Sequence, residues 1–366
     1  MSNYSRREFL SRATAGAALL SALPNISSIA KPYQGKKLRV ALVGLGYYAE
    51  FRLAPGLAES KYCELAGIVT GTPSKIDKWK AKYNIPDKNI YNYENFDKIA
   101  DNKDIDCIYV VTPNSLHKDF VIRGAKAGKH CITEKPMALN AKEAQEMIDA
   151  CKKANVKLFV GYRLHFEPFS LAVRAFGKDT ATNGKIKVIE TADGFKIGDP
   201  NQWRLKKALA GGGAMFDVGV YAIQGARYVS GEDPTHVTAQ EFKTDPVKFK
   251  EVDETIFWQM EFPSGAVSNS VTTYASSTER LYASTDNGSW IELRPAYGYG
   301  PLQGKTNKGP LDLPHTNHQA LQFDGMGQAI LENKEITATG EEGLKDMKII
   351  DAIYRSIKSG KKEKIV

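Results

Sequence analysis

The chain has 366 residues, 42% of them hydrophobic and 25% charged, which is the composition of a globular protein with room for two domains. The formal net charge is +8, but Lys and Arg are scattered and the densest run, residues 358–364, is at the C-terminus, so the charge speaks against a nucleic-acid partner. No stretch reaches the roughly 18 consecutive apolar residues that a membrane span needs.

Residues 1–30 read as an export signal, not as part of the fold. Ser5-Arg6-Arg7-Glu8-Phe9-Leu10 is a twin-arginine motif, residues 13–23 are weakly apolar, and Ser28-Ile29-Ala30 offers small residues for cleavage. The expected location is therefore the periplasm, where an enzyme cannot draw on cytoplasmic nucleotide. Four cysteines, Cys63, Cys107, Cys131 and Cys151, form no CxxC pair and read as buried free thiols. No His/Asp/Glu cluster suggests a metal.

Residues 37–43 are almost continuously apolar, as in a strand covered on both faces. A helix is predicted over 49–59, a strand over 64–69, a helix over 74–83, a strand over 105–111, a helix over 118–127, a strand over 130–133, a helix over 141–155 and a strand over 157–161. This βα alternation predicts a parallel, doubly wound Rossmann domain over 36–160. Beyond it, 185–192, 236–242, 254–262 and 266–274 alternate apolar and polar residues. They predict a large, mostly antiparallel open sheet in an α+β domain over 161–366. Helices are expected over 219–230 and 341–360, and residues 287–314, rich in Gly, Pro and Tyr, read as a long loop.

Gly44-Leu45-Gly46-Tyr47-Tyr48-Ala49 stands between the first strand and first helix. In this GxGxxA turn, Gly44 permits the tight bend, Gly46 lets backbone approach a pyrophosphate, and the small third residue packs helix on strand. The second strand ends in Ile68-Val69-Thr70-Gly71-Thr72-Pro73-Ser74-Lys75, without the carboxylate that binds a ribose 2′-hydroxyl in NAD sites. Thr70 and Lys75 can instead meet a 2′-phosphate, so the expected cofactor is NADP, with NAD possible. A lysine in a first helical turn is otherwise an ordinary solvated residue.

Glu134-Lys135-Pro136 follows the strand at 130–133, Thr112-Pro113-Asn114 with His117 follows the strand at 105–111, and Gly211-Gly212-Gly213-Ala214-Met215-Phe216-Asp217-Val218-Gly219-Val220-Tyr221 lies further on. Together with the glycine turn, these motifs resemble the Gfo/Idh/MocA family, from Leu38 to the C-terminal helix. Tyr221, Asn201-Gln202-Trp203-Arg204-Leu205 and the twin-arginine motif are most similar to its glucose–fructose oxidoreductase branch. The resemblance implies a sugar oxidoreductase. Cofactor contacts would come from Gly44, Gly46, Tyr47, Tyr48, Thr70, Lys75, Thr112, Pro113, Asn114, His117, Glu134, Lys135 and Arg163. Sugar contacts would come from Lys135, Tyr162, Trp203, Arg204, Asp217 and Tyr221.

Hydride transfer from a sugar hydroxyl needs a group that takes the O–H proton. The family's pattern makes Tyr221 that acid/base, Lys135 its cationic partner and substrate anchor, and Asp217 the orienting carboxylate. By spacing alone, Asp217 reads more readily as a helix cap and Trp203 as packing, and His165 reads equally as a structural hydrogen-bonding residue. The segment between Ala30 and the first strand is short beside the arm that helps hold NADP in that branch, yet an exported enzyme must retain and recycle its cofactor. The leading expectation is an exported oxidoreductase that oxidises an aldose to a lactone and reduces a second carbonyl. The alternatives are oxidation of a glycoside at C3, including redox-assisted cleavage, and a non-catalytic NADP- or sugar-binding protein. An open sheet with one bare face predicts a homodimer or homotetramer.

Overall fold

Leu38–Val43 (β1) is buried almost throughout because strands flank it and helices cover both its faces. The computed structural model describes residues 35–366, so the twin-arginine segment lies outside the described residues. β1 is central to a six-stranded sheet with Cys63–Val69 (β2), Ile90–Tyr91 (β3), Cys107–Val110 (β4), His130–Thr133 (β5) and Leu158–Val160 (β6), in the order β3-β2-β1-β4-β5-β6. All these pairings are parallel. The order reverses between β1 and β4, and a ligand crevice forms beyond the carboxyl ends at such a switch. β3 has only two residues and gives no periodic signal in the sequence.

The helix expected over 49–59 (α1) opens as a π turn, Ala49–Leu53, and becomes α-helical over Ala54–Glu59. Pro55 explains the irregularity, since it lacks an N–H and its ring crowds the carbonyl four residues back. Ile76–Tyr83 (α2), His117–Lys126 (α3) and Ala141–Lys153 (α4) complete the doubly wound unit. All four cysteines are buried and unpaired.

The second sheet has nine strands: Ile186–Gly194 (β7), His236–Phe242 (β8), Thr255–Glu261 (β9), Val267–Thr273 (β10), Thr278–Thr285 (β11), Trp290–Leu293 (β12), Gly304–Thr306 (β13), Gly309–Pro310 (β14) and Glu363–Lys364 (β15). It is antiparallel except for β7 against β10. The stretch read as a loop over 287–314 therefore contains three short strands. β13 and β14 are hidden by their Gly and Pro, which short strands near a sheet edge tolerate, and β12, only four residues long, by the turns around it. The loop that remains, 294–303, carries Tyr297 and Tyr299.

Pro168–Lys178 (α5) and Val220–Ser230 (α6) cover one face of this sheet. The opposite face exposes Val188, Phe242, Phe257 and Val267. The same face is also charged, since Arg280 bridges Glu190 and Glu292 there, with Lys305 3.1 Å from Glu292. The last two helices return to the first domain. His318–Leu331 (α7) packs on α1, and Gly340–Ser359 (α8) on α4 and β8. Among the described residues no helix is long and apolar enough to cross a membrane.

Candidate active site

A cavity of about 740 Å³ opens at the β1/β4 switch point, within the usual size range of ligand sites. Its walls include the glycine turn, Thr70, Lys75, Thr112, Pro113, Asn114, Glu134 and Lys135 from the first domain, and Trp203, Arg204, Asp217, Tyr274 and Tyr299 from the second.

The dinucleotide end fits its expected ligand on three counts. Gly44 has φ +100°, and a Cβ there would lie 2.9 Å from the Val111 carbonyl oxygen, so only glycine makes this turn. Gly46 borders open space in the cavity. The Thr112 hydroxyl is buried on the wall with no partner among the described residues, which leaves it available to a ligand. At the end of β2, the Thr70 hydroxyl accepts from the Thr72 N–H at 3.1 Å, and Lys75 Nζ donates to the Leu45 carbonyl at 2.7 Å. Lys75 is thus folded back against the glycine turn, and a cation stands where NAD sites place a carboxylate.

Other expected cofactor residues serve the loops. Asn114 Nδ2 donates to the Ala210 carbonyl at 2.8 Å, tying the two domains together. His117 is wholly buried, with its ring nitrogens 3.0 Å from the carbonyls of Thr112 and Pro136. Burial pushes its pKa down to about 4, so the ring is neutral and its single N–H donates to one of the two carbonyls while the ring fills the space between the loops. Glu134 accepts from the Tyr109 hydroxyl at 2.6 Å, and burial raises its carboxyl above the usual range. Tyr48 accepts from Gln319 Nε2 at 3.1 Å, while Tyr47 is largely exposed at the rim.

Lys135, Asp217 and Arg204 converge at the other end. Lys135 Nζ donates to the Asp217 backbone carbonyl at 2.6 Å and lies 3.6 Å from the Asp217 carboxylate. Arg204 Nε is 2.9 Å from the other carboxylate oxygen, which also accepts from the Tyr274 hydroxyl at 3.0 Å. Burial pushes the Asp217 carboxyl up, but Arg204 and then Lys135 outweigh it and hold it below the usual range. Burial pulls Lys135 down, and Tyr221, Asp217 and Glu134 more than compensate, so it remains an ammonium. The backbone that presents Asp217 is set by Asp253, whose carboxylate accepts from the N–H groups of Gly213 at 2.7 Å and Met215 at 2.8 Å. A Cβ on Gly213 would fall 1.9 Å from the Asp253 carbonyl oxygen, which explains a glycine in that run.

Tyr221 stands one layer behind the wall. Its ring lies 4.5 Å from Lys135 Nζ and 5.1 Å from the Arg163 guanidinium, with Tyr297 alongside. Two expectations move. Arg163, predicted to touch cofactor, is buried behind the wall and donates to the carbonyls of Tyr297 and Gly298. Tyr162 is buried too, and its hydroxyl donates to Asp346 at 2.7 Å instead of facing the cavity. Both follow β6 directly, where the chain dives under α8 and the second domain covers it. Trp203 does line the cavity, but its ring is paired with the Arg204 guanidinium at 4.7 Å. His165 bonds Thr337 at 2.7 Å and stacks on Tyr162, a structural role. Tyr274, Tyr299 and Asp253 were not singled out from the sequence; only the placement of Tyr274 at the end of an alternating strand hinted at it.

Residues 38–162 match the oxidoreductase family with an NAD-binding Rossmann fold, GFO/IDH/MocA, and residues 179–291 match that family's C-terminal domain. The chain belongs to the Gfo/Idh/MocA oxidoreductase family. A member of known structure, an aldose–aldose oxidoreductase from Caulobacter crescentus complexed with glycerol, is 41% identical, with a TM-score of 0.86 over 90% of this chain and 100% of that one. D-xylose 1-dehydrogenase [NADP(+)] from Haloarcula marismortui is 27% identical over 87% of this chain and 91% of its own length. A levoglucosan dehydrogenase in complex with NADH and L-sorbose, 22% identical with a TM-score of 0.74, shares the fold.

Proposed function

We propose that the protein is an exported sugar oxidoreductase that moves hydride between two sugars through one retained NADP(H), oxidising an aldose to its lactone and reducing a second carbonyl sugar. The observation that carries this reading is the convergence of Lys135, Asp217 and Arg204 on the cavity that also contains the glycine turn. Similarity to the Caulobacter aldose–aldose oxidoreductase over that protein's whole length favours two aldose substrates over an aldose and a ketose. Lys75 beside the glycine turn favours NADP.

The glycine turn, Thr70, Lys75 and Thr112 would hold the dinucleotide, whose nicotinamide would supply the hydride-accepting and hydride-donating chemistry. The protein's own part is to bind and to move a proton. Lys135, kept charged, holds the reacting oxygen by hydrogen bond and charge. Tyr221, buried directly behind Lys135, takes the hydroxyl proton during oxidation and gives it back during reduction, the proton passing beside the Lys135 ammonium that separates it from the cavity. Asp217 fixes the Lys135 ammonium through its carboxylate and backbone carbonyl, and its remaining lone pairs accept from a neighbouring sugar hydroxyl. Export by the twin-arginine motif supplies the need for retention. The mixed bare face of the second sheet is the surface on which a homodimer or homotetramer would form.

The test is to purify the exported protein, release and identify any nucleotide, and incubate sugar pairs without added cofactor. Lactone and reduced sugar should accumulate in equal amounts. Protein that holds no nucleotide and binds no added NADP(H) would end the proposal.

A further inference from the structure

Retention needs a physical cause, and the second domain offers one at the cavity mouth. Tyr299 lines the cavity and is 43% exposed, so one side of it faces inward and the other solvent. It reaches across to the first domain, where its ring lies 5.8 Å from the Tyr48 ring and 4.8 Å from the Arg52 guanidinium, both on or beside the start of α1. On its own side, Arg163 lies 4.3 Å from the same ring. Tyr299 is therefore held between two guanidiniums from opposite domains, a favourable setting for an aromatic face.

The peptides before it are fixed from both sides. Arg163 donates to the carbonyls of Tyr297 and Gly298, at 3.0 Å for Gly298, and the Glu279 carboxylate accepts from the N–H groups of the same two residues. Arg163 is itself tied at 2.8 Å to His318 on α7, the helix that packs on α1. These bonds make the backbone rigid up to Gly298, after which Tyr299 projects over the cavity with a glycine on either side.

We infer that Tyr299 is a cofactor-retaining residue, a latch that closes from the second domain onto Tyr48 and Arg52 and slows escape of the dinucleotide. This rests on the dinucleotide reading of the cavity. It assigns a role to the loop 294–303 that needs no N-terminal arm.

The test measures release, not turnover. Protein loaded with NADPH is mixed with excess unlabelled NADP, and the loss of bound-NADPH fluorescence gives the off-rate for the wild type, Tyr299→Ala, Tyr299→Phe and Arg52→Ala. Tyr299→Ala should release NADPH about tenfold faster or more, because ring and cation contacts go together. Tyr299→Phe keeps the ring and should stay within about twofold of wild type. Arg52→Ala, which leaves the loop intact, should fall between them. Release from Tyr299→Ala at the wild-type rate would overturn the latch, including where its KM for sugar has risen. Wild-type protein that takes up no NADPH would remove the dinucleotide reading, and the latch with it.

Discussion

Replacing Asp217 by Asn removes one negative charge while keeping shape, and its consequence can be worked from distances. Lys135 and Asp217 stand 3.6 Å apart with side chains 10% and 19% exposed, a separation at which opposite charges attract by about 4 kcal/mol at an effective dielectric near 20. Most of that gross attraction offsets desolvation. What the variant reveals is the cost of leaving Lys135 without its counter-charge, about 3 kcal/mol for a buried pair. Arg204, 2.9 Å from the same carboxylate, loses its counter-charge as well, at a cost reduced by solvent because its side chain is 36% exposed. The variant should melt roughly 4 °C lower at neutral pH, as the unfolding entropy of a chain this long implies. Because the neighbouring cations lower the folded pKa of Asp217, its contribution is present above the ordinary value of 3.8 and lost as pH falls through the lower folded value. The gap between wild type and variant should therefore close in acid. Single-turnover hydride transfer from sugar should slow by about 100-fold, while NADPH affinity holds within about twofold, since Asp217 is at the sugar end. Calorimetry from neutral to acid pH and stopped-flow fluorescence supply both readouts. A variant with the wild type's melting temperature and transfer rate would refute the assignment of Asp217 as the counter-charge that holds Lys135.

Three further outcomes follow from the site. Tyr221→Phe should lose between about 10² and 10⁴ in hydride transfer, as expected for an acid/base group, with nucleotide content of the purified protein unchanged. Lys75→Glu should reverse the charge beside Leu45 and weaken NADPH about tenfold relative to NADH, read by fluorescence titration with both. Burial, with Arg163 adding to it for His318, lowers the pKa of His117 and His318 from 6.5 to about 4. Both are neutral in the folded protein, so their stability contribution is intact above pH 6.5 and is lost as pH falls toward 4. Urea unfolding across that range should show the loss, and His318→Asn, which keeps an acceptor for Arg163, should reduce it.

Whatever depended on local backbone geometry could be read from the sequence. The Gly44 turn, the Lys135 motif and the run from Gly211 to Tyr221 each need particular residues within a few positions, and all three border one cavity. The same holds for β1, whose apolar run needs no partner to be recognised. Features that depend on distant pairing were hidden. Tyr274 becomes a site residue only because β10 delivers it to Asp217, 57 positions away. Asp253 sets the Gly213 turn from 40 positions away, and nothing around Asp253 announces that. β12, β13 and β14 draw their stability from neighbours and so could look like loop.

Arg163 shows why position alone misleads at a domain boundary. At the carboxyl edge of β6 a guanidinium belongs, by the rule for doubly wound sheets, in the ligand crevice. That rule describes a sheet whose edge meets solvent or ligand. Here the second domain begins at that point, and the chain beyond β6 is covered by its own continuation. An arginine buried in this way persists only if most of its donors are satisfied and its charge is met. The carbonyls of Tyr297 and Gly298 and the His318 ring take its two terminal nitrogens, and the faces of Tyr221 and Tyr299 meet its charge, while Nε is left without a partner among the described residues. Its contribution to the site then passes through others: one tyrosine beneath Lys135 and another across the cavity mouth, both resting on the same cation.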